Sequence, residues 1–247
     1  MSERSTKRDD AQGEMSLGRW AWEWTKSLAV AFVLYFVLKI FVIAAFQIPT
    51  GSMEDTLLVG DYLLVNKAVY GAEIPATDIH MPSFDRPEFG EIVVFEPPPA
   101  AGQPSGTNYV KRVVGLPGDT LAMRDGRLYR NGERVREPYA QHSRPETDPG
   151  SPSFSWQRAH LVGDSARSGE YRPTRDNWGP LRVPEGNYFV MGDNRDNSED
   201  SRYWGFVPWE SIQGDPLFIY YSYDRERMVP FPWITEIRWG RLFAGIH

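Results

Sequence analysis

The 247-residue sequence contains no cysteine, which excludes disulfides, a thiolate nucleophile and Cys-ligated zinc or iron–sulfur centres. Histidine is scarce. His80, His142 and His160 fall in polar stretches and His247 is the last residue, which argues against a Ser-His-Asp triad. Lysine is scarcer still in the body of the chain, where Lys67 and Lys111 are the only two beyond residue 46. Positive charge is in deficit: 27 Lys and Arg against 33 Asp and Glu leave a net charge of −6. No overall positive field exists to hold a phosphate backbone, so nucleic acid is excluded as a partner. Sustained helical periodicity and internal repeats are also missing, which argues against a helical bundle or a solenoid.

What is present is turn chemistry. Twenty-two glycines, 20 prolines and 14% aromatic residues suggest short strands joined by many turns. Apolar or β-branched runs at 62–65, 91–95, 109–114, 188–191 and 217–221 read as strands. Between Asp119 and Val135, the dipeptides Asp125-Gly126 and Asn131-Gly132 stand four residues apart, a strong hairpin signal. Residues 141–180 hold 15 Pro, Gly or Ser in 40 positions and read as an extended loop or the periphery of an inserted subdomain.

Mean hydropathy is −0.47, yet residues 28–46 break the pattern, with Tyr35 and Lys39 the only polar members of a nineteen-residue run. As a helix this run is about 28 Å long, close to a bilayer's hydrocarbon width. A buried core helix would show a wider polar face, and a cleaved leader would carry a shorter apolar region of about 7 to 15 residues. The expectation is a single transmembrane helix over 27–46. Arg4, Lys7, Arg8, Arg19 and Lys26 precede it, so the positive-inside rule puts residues 1–26 in the cytoplasm and the rest across the membrane.

Three segments could carry chemistry. In Phe46-Gln47-Ile48-Pro49-Thr50-Gly51-Ser52-Met53-Glu54-Asp55-Thr56-Leu57, Pro49 and Gly51 set a turn with a serine at its tip, which alone is an ordinary place for serine. A serine nucleophile needs a base. With a reference pKa near 10.4, only about one lysine in a thousand is neutral near pH 7.4, so a lysine base must be dried by burial. Lys111 lies in Tyr109-Val110-Lys111-Arg112-Val113-Val114-Gly115, where strand alternation puts Tyr109, Lys111 and Val113 on one face. On spacing alone such a lysine is a member of a solvated face. The third segment, Met191 to Gly205, is dense in polar groups. Its Asp spacing hints at a calcium loop, but Gly is missing from the sixth position and Arg195 stands where a ligand is expected, so no metal site is read. A hydrogen-bonded turn there could present Ser198 to Lys111 and be tied down through Asp200 and Arg202.

Taken together and in this order, Gly51-Ser52-Met53, the run from Tyr109 through Gly115-Leu116-Pro117-Gly118-Asp119, and Gly192-Asp193-Asn194-Arg195-Asp196-Asn197-Ser198 closely resemble the bacterial type I signal peptidases. These are Ser-Lys proteases that release exported proteins from the membrane. The resemblance implies a mainly β fold, with one N-terminal transmembrane helix followed by an exported β-rich catalytic domain (47–119 and 188–247) and an inserted variable β subdomain at 120–187. It implies Ser52 as nucleophile, Lys111 as general base, and an oxyanion hole from the Ser52 N–H and the Thr50 hydroxyl. Ser198 would orient the lysine, with Asp193, Arg195, Asp200 and Arg202 in support. Phe46, Ile48, Met53, Leu57, Leu63, Val94, Tyr109 and Val110 would wall apolar pockets for small residues one and three places before the scissile bond.

The implied activity is signal-peptide cleavage after small-x-small sites without a cofactor, by a monomer at the bacterial inner membrane whose catalytic domain faces the periplasm. Its partners would be the signal peptides of preproteins and the lipid bilayer. Trp233 and Trp239 could dip into the interface or pack in the core. Asp55 stands where the family frequently has proline, leaving the local turn geometry open.

Overall fold

The computed structural model describes residues 17–71, 82–144, 146–163 and 171–246. The chain divides into two compact units between Lys39 and Ile40. In the first, α1 (Leu17–Val37) is free of proline and carries internal i,i+3 and i,i+4 pairs. Lys26 donates to Glu23 at 2.8 Å and the rings of Trp20 and Trp24 lie 5.8 Å apart. Its apolar residues Leu28, Val30, Phe32, Leu34 and Val37 are all exposed.

The expected membrane-spanning helix over 27–46 is not found. The α-helix stops at Val37, a π-helical turn follows at Leu38–Val42, and Ile43–Gln47 form strand β1. Among the described residues no helix is long and apolar enough to cross a membrane. The reason is that the last residues of the apolar run suit a strand as well as a helix. Phe46 and Ile48 turn inward while Ala45 and Gln47 turn out, and a partner strand satisfies their backbone groups.

That partner is β2 (Asp61–Asn66), paired antiparallel with Phe46 opposite Leu63. The second unit then adds β3 (Ile92–Phe95), β4 (Tyr109–Gly115), β5 (Thr120–Arg124), β6 (Arg127–Arg130), β7 (Glu133–Arg134), β8 (Trp178–Arg182), β9 (Asn187–Met191), β10 (Val207–Pro208) and β11 (Ile212–Ser222). Seven strands make one antiparallel sheet in the order β1-β2-β11-β3-β4-β9-β10, and four make a second in the order β7-β6-β5-β8. The fold is therefore mainly β. The two turn dipeptides lie where the sequence puts them: Asp125 and Gly126 have φ 48° and 70°, Asn131 and Gly132 have φ 53° and 88°. Two successive positive φ values make the tight hairpin turn whose twist matches the flanking strands. The stretch 141–180, read as loop, also holds a nine-residue 3-10 helix, Pro152–His160, capped by Ser151.

Three apolar clusters form the core. One gathers Val93, Phe95, Val113, Val190 and Ile212 within the large sheet. A second joins Val114, Phe189 and Met191 of that sheet to Leu121, Met123, Leu128 and Leu181 of the small one, so shared burial fixes the two sheets together. The third, Ile48, Met53, Leu57, Leu63, Val94 and Ile219, lies under the segment that carries Ser52.

Candidate active site

Ser52 occupies a single 3-10 turn, Gly51–Met53, entered from Thr50 in extended conformation. Met53 and Leu57, both essentially buried, nail this turn to the third cluster. A second tether comes from the polar turn after β9: Asn194 N–H donates to Ser52 O at 3.1 Å. The two segments approach so closely at Gly192 that a Cβ there would stand 2.3 Å from Ser198 Oγ and 2.5 Å from Ser52 O. Only glycine fits.

Lys111 reaches this turn from the neighbouring wall. Its Nζ donates to Ser52 Oγ at 2.7 Å and to Val110 O at 3.1 Å. The residue is 4% exposed, and burial, partly opposed by the charges of Asp200 and Asp193, lowers its pKa to about 8. The solvated strand face that spacing alone suggests is thus replaced by a dry site. The Tyr109 ring lies 5.2 Å from the same Nζ. Thr50 Oγ1 stands 3.5 Å from Ser52 Oγ, at the limit of a hydrogen bond.

Behind the amine, buried ion pairs fix the polar turn. Asp193 accepts two bonds from Arg112, at 2.8 and 2.7 Å, and a third from Thr56 Oγ1 at 2.6 Å. Asp200 accepts from Arg202 Nε and Nη2, both at 2.8 Å, and from Gly192 N–H at 3.1 Å. Burial alone would raise the Asp200 carboxyl, but Arg202 and these hydrogen bonds hold it below its ordinary value. Arg195 donates to both oxygens of Glu137, at 3.0 and 2.5 Å. All four residues expected to support the site thus surround it. Ser198 is also there and buried, but it makes no hydrogen bond to Lys111; its hydroxyl faces the Asp200 carboxylate instead and helps hold it below its ordinary value.

Ser52 and Lys111 open onto a groove of about 630 Å³. Of the eight expected pocket residues, Phe46, Ile48, Met53, Tyr109 and Val110 line it. Leu57, Leu63 and Val94 do not. They are completely buried in the third cluster beneath, because strand alternation indicates the inward face but not the depth below the surface. Sequence reasoning missed Thr56, Arg112, Glu137 and Asn194 as supports. Arg112 stands out as a second charge, next to Lys111, on a largely apolar strand, whereas Glu137 meets Arg195 across 58 residues with no local signal.

Among the described residues, His142, Asp176 and Asp196 are close enough to share a cation. Arg175 already contacts both carboxylates, at 2.7 and 3.0 Å.

A buried amine on a serine hydroxyl, beside an open groove, is chemically what a base-assisted nucleophile requires. Comparison with known proteins agrees with a peptide-bond hydrolase. Residues 21–221 match the family described as signal peptidase, peptidase S26. Signal peptidase I of Pseudomonas fluorescens is 39% identical over 228 residues, covering 87% of this chain and 78% of its own. That of Bacillus licheniformis is 34% identical over 206 residues, covering 83% and 91%. A solved signal peptidase I from Enterococcus faecalis shares 32% identity, covering 53% of this chain and 97% of its own, with a TM-score of 0.34.

The chain belongs to the signal peptidase, peptidase S26 family. It is a peptidase.

Proposed function

We propose that this peptidase is a serine endopeptidase that cleaves signal peptides from exported preproteins after small-x-small sites, with Ser52 and Lys111 as its catalytic pair. The observation that carries the reading is the 2.7 Å contact between Ser52 Oγ and an amine that burial brings down to about pKa 8. Neutral Lys111 takes the Ser52 proton as Oγ attacks the carbonyl carbon. The C–N bond breaks, and the proton passes from Lys111 to the leaving amine. Water then adds to the acyl-enzyme and gives a proton to Lys111, which returns it to the departing Ser52 oxygen. Arginine could not do this, since it stays charged in proteins.

The Ser52 N–H and the Thr50 hydroxyl are assigned to the oxyanion. Ser198, in contact distance of the Gly192 backbone, would receive the amine as the side chain rotates during turnover. The substrate lies extended along the groove beside β1, which among the described residues is an edge strand of the large sheet and so a place for backbone pairing. Phe46, Ile48, Met53, Tyr109 and Val110 then leave room only for small residues before the scissile bond. The enzyme works as a monomer without a cofactor.

We place it at the bacterial inner membrane, N-terminus on the cytoplasmic side and catalytic unit on the outer face. Support comes from the basic residues ahead of the apolar run at 28–46 and from exposed Trp233, Ile234, Trp239 and Phe243, which are 49% to 75% accessible. Trp233 and Trp239 are not core residues. Such a rim suits the lipid interface, where amphipathic rings sit at headgroup level.

The test is incubation of the full chain in detergent with a preprotein carrying an Ala-x-Ala site, followed by N-terminal sequencing of the product. One cut after the second alanine is expected, absent in Ser52→Ala and Lys111→Met. Undiminished cleavage by either variant would defeat the assignment.

A further inference from the structure

Three charged residues line the groove: Lys111, Asp196 and Glu199. Two are already answered. Lys111 is buried against Ser52, while Asp196 is met by the Arg175 guanidinium at 3.0 Å and accepts the Arg144 N–H at 2.5 Å. Glu199 differs. It is exposed between two buried neighbours, Ser198 and Asp200, so the backbone of a fixed turn holds it at the groove while its carboxylate stays in water. Among the described residues that carboxylate has no ion-pair or hydrogen-bond partner. Its field nevertheless falls on the groove walls. After burial, it is what keeps the Tyr109 phenol above its ordinary value, and it also acts on Lys111 and Tyr203. Glu199 is therefore the one exposed, unpaired carboxylate among the described residues that line the groove.

We infer that Glu199 is a specificity-determining residue, favouring substrates with a basic side chain close to the scissile bond and rejecting an acidic one at the same place. This rests on the reading of the groove as the peptide-binding cleft. A water-exposed pair attracts or repels only weakly, so exchanging Lys for Glu in the substrate should change kcat/KM by about three- to tenfold. The preference should shrink as salt rises, because an exposed charge is screened over about 8 to 10 Å at 0.1 to 0.15 M.

The experiment uses the full chain in detergent and a set of Ala-x-Ala peptides in which Lys, Gln or Glu is placed singly at −2, +1, +2 or +3 relative to the cut. The quantity read is the Lys-to-Glu ratio of kcat/KM at each position, within one enzyme, so any general loss of activity in a variant cancels. The wild type is expected to show a ratio of about three to ten at one position. Glu199→Gln should bring it below two, and Glu199→Lys should invert it. A wild-type ratio near one at every position, or a ratio unchanged in both variants, overturns the inference while leaving the peptidase reading intact. Failure of the wild type to cleave any peptide of the set overturns both.

Discussion

Lys111 and Ser52 stand 59 residues apart in the chain, yet their side chains meet at 2.7 Å. The meeting depends on two independent devices. The Lys111 strand β4 pairs with β3 at Val93, while the Ser52 turn is fastened to Asn194 and to the apolar cluster below. Neither device belongs to the two side chains themselves.

The first prediction concerns pH. Because burial lowers the amine to about 8, kcat/KM should rise tenfold per pH unit below that value and level off above it. The titrating group is a base used in its neutral form, so activity is lost as pH falls. A profile of peptide cleavage from pH 5 to 10 checks this. An inflection near 4 would assign the proton transfer to a carboxylate instead.

The same burial should weaken the fold. A lysine whose folded pKa is lowered from 10.5 to about 8 binds its proton less well in the folded state than in the unfolded one. The penalty is fully present below pH 8 and disappears as pH rises to about 10.5, and it amounts to about 3 kcal/mol. Lys111→Met should therefore be inactive but more stable at pH 7, by about 1 to 3 kcal/mol once its two lost hydrogen bonds are subtracted. Urea unfolding at pH 7 and pH 10 measures it; the gain should be smaller at the higher pH.

The mainly β architecture and the tight turns were legible because period-two alternation and Asp-Gly or Asn-Gly pairs act locally. The end of α1 was not. Val, Ile and Phe in the run 28–46 serve a helix and a strand equally, and the choice is made by β2, whose Leu63 lies opposite Phe46. Depth was also hidden: Met53 lines the groove and Leu57 lies wholly in the core, although the two apolar residues stand only four positions apart. The proposed pair of Ser52 and Lys111 was read through resemblance, since neither a serine in a turn nor a lysine on a strand is distinctive alone.

Asp55 gives a third prediction. Its φ is 74°, a left-handed conformation that Gly adopts freely and Asp tolerates, whereas proline is locked near −65°. Asp55→Gly should change stability by less than about 1 kcal/mol, whereas Asp55→Pro should cost about 3 kcal/mol or more and displace Ser52. Thermal unfolding together with peptide cleavage separates the two. Equal stability of the proline variant would mean that this turn has more than one accessible form.

Thr50 supplies a fourth. If its hydroxyl donates to the oxyanion, Thr50→Val should lower kcat by about two to three powers of ten with little change in KM, and Thr50→Ser should keep most of the activity. Steady-state kinetics on one peptide decides. An unchanged kcat in the valine variant removes Thr50 from the mechanism.

The last concerns the clamp between Glu137 and Arg195, whose side chains are 7% and 1% exposed. Arg195 also donates to Gly192 O at 3.2 Å, and Gln141 N–H donates to Asp193 O at 2.7 Å, so residues 137–141 hold the polar turn that carries Ser198. Removing only the carboxylate strands a buried guanidinium, so Glu137→Met should cost about 3 to 5 kcal/mol. Replacing both partners removes the stranded charge along with the pair, so the Glu137→Met, Arg195→Met double variant should recover most of that loss. Activity should follow a different course. If the clamp positions the turn, the double variant regains stability but remains slow, with kcat reduced and KM nearly unchanged. Recovery of both together would reduce the clamp to a contribution to folding.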